Sequence, residues 1–521
     1  MLGAAALLGL LGLSSACGEE PPGNRRNLLI VSFDTIRADR LGVYGNDEWG
    51  VSPSPHVDAL AAEGVAFDLC LAPRGQTHPS MASLVTGRFP ITHTVRENSH
   101  DLPPSEPHLF EELQAAGYRT GIFVANFNLA SPHHRWLFRG ADEVGDGYQG
   151  NFQTEAGAEA FFQRQWDDRV EADARRFLET HDGGRPFALL VHFYDCHKPY
   201  NPPPEQRGLY AVDDPAVPPA LRDPGAGRAA ELDEHLTGIT LGDRDVPAAE
   251  LAAVRGLYDA TVTATDLRLG RLLATLAERG LDDDTVVVFT GDHGEELYDH
   301  NRYFFHGSSI YHGTTRIPLV VRAPDLPAGA RLSPAVQNVD LAPTVLDLLA
   351  LPTPAPMEGR SLAPLMRGES ATAPRPHAFV EWQDYQYSVT DGRFVFLDNR
   401  FHVYPRKSPF FRDMATSFPD GPVGFEVDCF EAYDLSDDPG QQRDLLSDLT
   451  PAQVMAGDGV PAEVRALQAA LDRWLRDPQH RKPFRNTSTP DQIEMLKQLG
   501  YVDGGSERVD AHRAEPCLDV R

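Results

Sequence analysis

Three stretches of the chain are apolar almost without interruption, and each stops abruptly at residues able to do chemistry. Residues 27–33 (NLLIVSF) run into Asp34, residues 285–290 (TVVVFT) into Gly291-Asp292-His293-Gly294, and residues 186–194 (PFALLVHFY) into Asp195-Cys196-His197. Unbroken rather than alternating apolarity is the pattern of a strand buried on both faces of a parallel sheet. A further strand is expected at 119–124. Amphipathic stretches of helical period predict helices at 105–116, 168–180 and 251–279. The segment 77–86, with Pro79 near its start and Gly87 after it, predicts another. Strands alternating with helices give a mostly parallel sheet flanked by helices, and such sheets bind ligands beyond the carboxyl ends of their strands. The polar residues that end the apolar runs would share that edge.

From about residue 374 the texture changes to short aromatic strands. Residues 385–389, an Asp391-Gly392 turn and residues 393–397 read as a hairpin, and residues 462–475 as its packing helix. Thr489-Pro490-Asp491-Gln492 reads as the start of a terminal helix that Gly500 closes. The expected organisation is a signal-like segment and linker (1–24), an α/β catalytic domain (25–372), a smaller C-terminal α+β domain (373–503) and a polar tail (504–521). Residues 203–250, rich in Pro, Asp and Ala, read as a surface insertion.

Residues 2–13 (LGAAALLGLLGL) are too short to span a bilayer as a helix and have the length of a secretory apolar core. Ser14, Ser15 and Ala16 then lead into Cys17, which resembles a bacterial lipoprotein signal whose cysteine is lipidated. The protein is therefore expected to be exported, periplasmic or at the cell surface, and attached to a membrane through Cys17; simple secretion is the alternative. The other four cysteines are too sparse for a disulfide framework and form no CxxC zinc pattern.

Composition narrows the partners. Across 521 residues, Lys+Arg 47 against Asp+Glu 76 gives a net charge of −29, a field that repels nucleic acid. An anionic substrate then needs a local inversion of charge. Asp34, Asp292 and His293 supply the means, because carboxylate oxygens suit Ca²⁺, Mg²⁺ or Mn²⁺ and an imidazole draws the preference toward Mn²⁺ or Zn²⁺. The glycines around Asp292-His293 permit close backbone approach. Thr77 falls at a helix N-terminus, where the helix dipole and free N–H groups favour an anion; read alone, it is equally a helix cap. Asp259 and Asp266 are expected to solvate the 251–279 helix, and His93 to make a structural hydrogen bond.

These residues carry a resemblance. Asp34-Thr35-Ile36-Arg37 continuing to Tyr44-Gly45, Thr77-His78-Pro79-Ser80 ending in Thr86-Gly87, Asp195-Cys196-His197-Lys198-Pro199-Tyr200 and Gly291-Asp292-His293-Gly294-Glu295 occur in the order seen in sulfatases of the alkaline phosphatase superfamily. The likeness runs over about residues 27 to 500. It implies a metal bound by Asp34, Asp292 and His293, with Thr77 at the nucleophile position as both catalytic group and metal neighbour. It implies that His197 and His306 contact the ester oxygens and act in catalysis. It places Arg37 beside the substrate, with a salt-bridged role as the alternative.

The sequence also departs from that family. Sulfatases carry Cys or Ser where Thr77 stands, followed by an Arg where Met81 stands, and oxidise the Cys or Ser to formylglycine; threonine cannot give that aldehyde. Thr35 replaces a second aspartate found in many calcium sulfatases, and residues 123–128 (FVANFN) lack the usual Lys-x-His. The set Asp34, Thr77, Asp292 and His293 instead resembles the one-metal sites of lipoteichoic acid synthases and phosphoethanolamine transferases. The expectation is a hydrolase of sulfate or phosphate esters using one divalent ion (Ca²⁺, Mn²⁺ or Zn²⁺), with Thr77 forming a covalent ester intermediate. The alternatives are a phosphodiesterase or phosphoryl transferase acting on an envelope substrate, or an inactive relative that binds sulfated or phosphorylated glycans.

Overall fold

Every side chain of Asn27–Phe33 is buried, and the strand lies inside an eight-stranded sheet. In spatial order the strands are Ala330–Leu332, Val65–Phe67, Leu319–Arg322, Thr285–Gly291, Asn27–Phe33, Phe187–Phe193, Arg119–Val124 and Glu143–Asp146. All neighbours pair in parallel except on the two sides of Leu319–Arg322. This computed structural model describes residues 26–130, 135–146, 165–222, 231, 232, 234–236, 246–300, 306, 307, 309–382, 386–399, 403–405, 424–426 and 428–481.

Alternation along the central strand feeds two apolar layers. Leu28 and Ile30 pack with Met81, Leu84 and Val85 of the Thr77–Thr86 helix, while Leu29, Val31 and Phe33 pack with Phe177 of Gln165–Glu179 and Leu257 of Ala248–Glu278. Both faces of the sheet are therefore covered, and this is why its strands read as unbroken apolar runs. The expected 105–116 helix is shorter, Leu109–Ala115, because His108 caps it by accepting from the Phe110 N–H.

A four-stranded antiparallel sheet forms the smaller second unit: Ala378–Trp382, Gln386–Thr390, Phe394–Asn399 and Phe430–Asp434. Gly392, at φ +100°, makes the turn of the expected hairpin, and Ala462–Leu475 is the packing helix. Trp474 of that helix stacks on Phe379 at 4.9 Å and meets Phe89 of the larger unit edge-on at 5.6 Å. Gln337 further ties the units by exchanging hydrogen bonds with the backbone of Phe379. Cys429 is disulfide-bonded, whereas Cys70 and Cys196 are buried outside any disulfide.

Asp259 and Asp266 do not solvate their helix. Both are fully buried: Asp259 pairs with Arg40, and Asp266 accepts the His56 and Val57 N–H groups at the start of Pro55–Glu63. A long helix packed on two sides has positions facing neither solvent nor sheet, and there a carboxylate is held by a partner. His93 makes the expected structural bond, 3.0 Å from Ser83 Oγ. Within the 203–250 insertion, Pro219–Arg222 forms a short helix. The segment through Cys17, the terminal helix at 489–500 and the tail lie outside the described residues. No described helix is long and apolar enough to cross a membrane.

Removing Trp474 by Trp474→Ala should lower unfolding free energy by about 3–5 kcal/mol in chemical denaturation. A change below about 1 kcal/mol would show that the aromatic stack does not hold the second unit in place.

Candidate active site at the carboxyl edge of the sheet

Strand register brings the two aspartates together. Phe33 lies opposite Gly291 on the adjacent parallel strand, so the next residues on each, Asp34 and Asp292, emerge side by side. With His293 they offer three buried donor atoms all within 4.8 Å of one another. Asp292 is oriented through Oδ1, which accepts the Thr35 N–H (3.1 Å) and the His293 N–H (2.7 Å), while its buried Oδ2 accepts no hydrogen bond from the described residues. His293 Nδ1 lies 2.9 Å from the Gly294 carbonyl, to which it donates, so the lone pair is on Nε2, 3.4 Å from Asp292 Oδ2. Gly294 is required here, because a Cβ would stand 2.1 Å from the Gly313 carbonyl oxygen.

Thr35, which follows Asp34, has φ +53°, an uncommon conformation for a β-branched residue. Its N–H is bound by Asp292, and its carbonyl accepts the Tyr258 hydroxyl at 2.7 Å. These two bonds hold the strained turn that aims Asp34.

The third element is the helix Thr77–Thr86, with Gln76 as its extended N-cap and Gly87 in the left-handed conformation (φ +62°) closing it. Thr77 thus takes the first helical position, and its Oγ1 is 3.3 Å from His293 Nε2. Ser80, one turn on, donates through Oγ to the Asp292 carbonyl and accepts 2.6 Å from Asn338 Nδ2. The helix is thereby fastened to the Asp292-His293 turn, which fixes the threonine beside the imidazole.

His306 and His197 complete the cluster. The His293 and His306 rings are 4.4 Å apart, and the His306 and His197 rings 5.0 Å. Tyr194 stacks on His197 at 4.5 Å, and His197 Nδ1 lies 2.6 Å from the Lys198 carbonyl. The structure therefore brings together Asp34, Thr77, Asp292, His293, His197 and His306. Arg37 stands apart from them: its guanidinium binds Asp39 and Asp299 and donates to the Glu295 carbonyl at 3.1 Å, so its charge is matched by carboxylates.

Four functional candidates escape sequence reading. Glu295 Oε1 meets His306 Nδ1 at 3.1 Å, His192 Nε2 lies 3.2 Å from Asp34 Oδ2, Asn126 Nδ2 donates to the same oxygen at 2.5 Å, and Ser80 locks the helix. Glu295 and Ser80 lie inside quoted motifs without an obvious role. His192 interrupts an apolar strand, which is the one signal that marks it.

Residues 26–351 match the sulfatase family. The chain belongs to that family. It is 25% identical to the N-acetylglucosamine-6-O-sulfatase of Bacteroides thetaiotaomicron, across 90% of this chain and 94% of that protein. It is also 25% identical to the multifunctional alkaline phosphatase superfamily protein PehA of Trinickia caryophylli, across 72% and 82%. A solved structure in complex with its substrate D-glucosamine-2-N,6-O-disulfate superposes with a TM-score of 0.64 at 21% identity, covering 88% of this chain and all (100%) of that one. The phosphonate monoester hydrolase of Agrobacterium radiobacter gives 0.62 at 22% identity, covering 86% and 96%. These two likenesses show the shared fold. As a sulfatase-family member, the protein is a hydrolase of sulfate or phosphate esters.

The electrostatics of this sulfatase-family site follow from burial. Burial, and then the neighbouring Asp34 charge, push Asp292 above the usual carboxylate range. Burial also pushes Glu295 up to about 8 and His306 down to about 4, so the bonded pair is uncharged at neutral pH and His306 is a neutral hydrogen-bonding group rather than a cation.

Two buried acids side by side, one with an oxygen accepting nothing, fit a divalent cation as their counter-charge. Because Asp292 titrates higher folded than unfolded, its contribution favours the metal-free fold at acid pH and is lost as pH rises through the raised pKa. Metal-free Asp292→Asn should therefore melt above metal-free wild type at pH 8, with the gap narrowing at pH 5. Mn²⁺ or Zn²⁺ should raise the melting temperature of wild type alone. Equal melting of the two metal-free proteins at pH 8 would contradict this reading.

Proposed function

We propose that this sulfatase-family protein is a metal-dependent hydrolase that transfers the phosphoryl group of a phosphate ester to Thr77 and from there to water. The observation that carries the reading is the Thr77 hydroxyl 3.3 Å from His293 Nε2, beside two buried carboxylates, at a position that cannot become formylglycine. Asp34, Asp292 and His293 are the residues that would hold the ion; two carboxylates with an imidazole favour Mn²⁺ or Zn²⁺ over Ca²⁺. Bound there, a divalent cation supplies positive charge that makes a neighbouring hydroxyl more acidic and stabilises charge developing on the ester oxygens.

Thr77 gives up its hydroxyl proton to the surrounding water as Oγ attacks phosphorus in line, forming the Oγ–P bond as the bond to the leaving oxygen breaks, and Oγ regains a proton when water later displaces it. His306, oriented by Glu295, and His197, oriented by Tyr194 and the Lys198 carbonyl, form hydrogen bonds at the ester oxygens and exchange protons with the leaving oxygen and the incoming water. Arg37 holds the turn that carries Glu295 rather than the substrate. Water then attacks phosphorus and returns Thr77 to the alcohol. A sulfuryl-threonine lacks the elimination route that a hydrated formylglycine has, and water must break its S–O bond; this asymmetry favours phosphate esters.

A glycan sulfate ester is the second reading, favoured by the likeness to N-acetylglucosamine-6-O-sulfatase across nearly the whole chain. We further place the protein outside the cytoplasm, anchored through lipidated Cys17, with residues 25–372 as catalytic domain and 373–503 as C-terminal domain. The disulfide at Cys429 supports an oxidising compartment.

With Mn²⁺ or Zn²⁺ and a panel of bis-p-nitrophenyl phosphate, p-nitrophenyl phosphate and p-nitrophenyl sulfate, the phosphate esters should turn over fastest. Thr77→Ala should lower kcat by about 10³–10⁵-fold while Thr77→Ser retains turnover. Acid-quenched enzyme should carry the transferred group on the peptide containing Thr77. Undiminished turnover by Thr77→Ala would refute the covalent route, and a preference for the sulfate would select the second reading.

A further inference from the structure

Asp34 is approached from two other strands of the sheet. The Phe187–Phe193 strand runs parallel to Asn27–Phe33 with His192 opposite Ser32, and on its other side His192 is opposite Val124 of Arg119–Val124. This register sets the imidazole, which is fully buried, with Nε2 at 3.2 Å from Asp34 Oδ2 and 4.0 Å from Asp292 Oδ2. A carboxylate only accepts, so the His192 proton is on Nε2; consistently, its buried Nδ1 makes no hydrogen bond among the described residues.

Two residues past Val124, Asn126 donates from Nδ2 to the same Asp34 Oδ2 at 2.5 Å. Its Oδ1 accepts the N–H groups of Asn128 (2.9 Å) and Leu129 (3.3 Å), so the amide cannot turn over without uncapping the short helix Phe127–Ala130. Asn126 lies in the stretch where sulfatases carry Lys-x-His. Here an amide and an imidazole converge on one oxygen of the first metal carboxylate instead.

We infer that His192 and Asn126 are positioning residues for the metal site: together they clamp Oδ2 of Asp34, fixing the plane of the carboxylate toward Asp292 and His293. The inference rests on the proposed metal-dependent reading. Groups that orient a ligand through its other oxygen commonly change metal affinity by about 10–100-fold when removed. A merely structural histidine and asparagine would change fold stability and leave the affinity alone.

The test is equilibrium Mn²⁺ binding by the full-length protein, read by calorimetry or by the spectrum of free Mn²⁺, with no turnover involved. His192→Leu should weaken binding about 10–100-fold, and His192→Gln, which keeps an N–H at similar reach, should stay within about threefold of wild type. Asn126→Ser keeps an oxygen to cap Phe127–Ala130 but has no donor long enough to reach Asp34, so it should weaken binding while the metal-free melting temperature holds. Should His192→Leu fail to fold, Asn126→Ser alone decides. Wild-type affinity in either variant would overturn the clamp, as would loss in His192→Gln equal to that in His192→Leu. Wild type that binds neither Mn²⁺ nor Zn²⁺ would overturn the metal-dependent reading itself and the clamp with it, whereas tight binding without ester turnover would leave the clamp standing.

Discussion

Two fully buried carboxylates emerging side by side from adjacent parallel strands are the constraint around which this structure is organised. Buried acids repel each other and are costly to ionise. The chain nevertheless builds the pair into its most rigid element and surrounds it with hydrogen bonds that fix its orientation. Asp292 is bound by two backbone N–H groups, and Asp34 by a side-chain amide and an imidazole. A fold that spends so much order on like charges has use for a positive guest between them, and the imidazole of His293 closes the set.

The remaining parts act on that pair at short range. The strained Thr35 ties Asp34 to Asp292 through the backbone, and Ser80 ties the Thr77-bearing helix to Asp292 through its carbonyl. The same few residues therefore set both the carboxylate–imidazole cluster of Asp34, Asp292 and His293 and the position of the Thr77 hydroxyl, so the two cannot drift independently. Glu295 and His306 add an uncharged, hydrogen-bonded pair on the far side of His293. Arg37 is neutralised by Asp39 and Asp299, which leaves it to shape a turn. The pattern is one of pre-set orientation rather than of accumulated positive charge.

Much of this was legible before any coordinate was known. Strands buried on both faces announce themselves as unbroken apolar runs, and their ends named Asp34, Asp292 and His197 directly. The packing helix at 462–475 was legible because its apolar period survives against one face of the four-stranded sheet. What the sequence hid depends on register and on side chains reaching across strands. His192 reads as one polar residue in an apolar run, and only the pairing of Ser32 with His192 turns it toward Asp34. Asn126 reads as the loss of a family motif until its amide is seen on Oδ2. Asp259 and Asp266 read as solvated positions on a long helix because periodicity cannot report the Arg40 turn and the Pro55–Glu63 helix packed over its second face.

Anomalous diffraction from crystals grown with Mn²⁺ or Zn²⁺ bears most directly on the central claim. The account predicts one strong peak bounded by Asp34, Asp292 and His293, with the Thr77 hydroxyl turned toward it. A peak elsewhere, or a Thr77 side chain rotated away from an ion seated in that pocket, would contradict it.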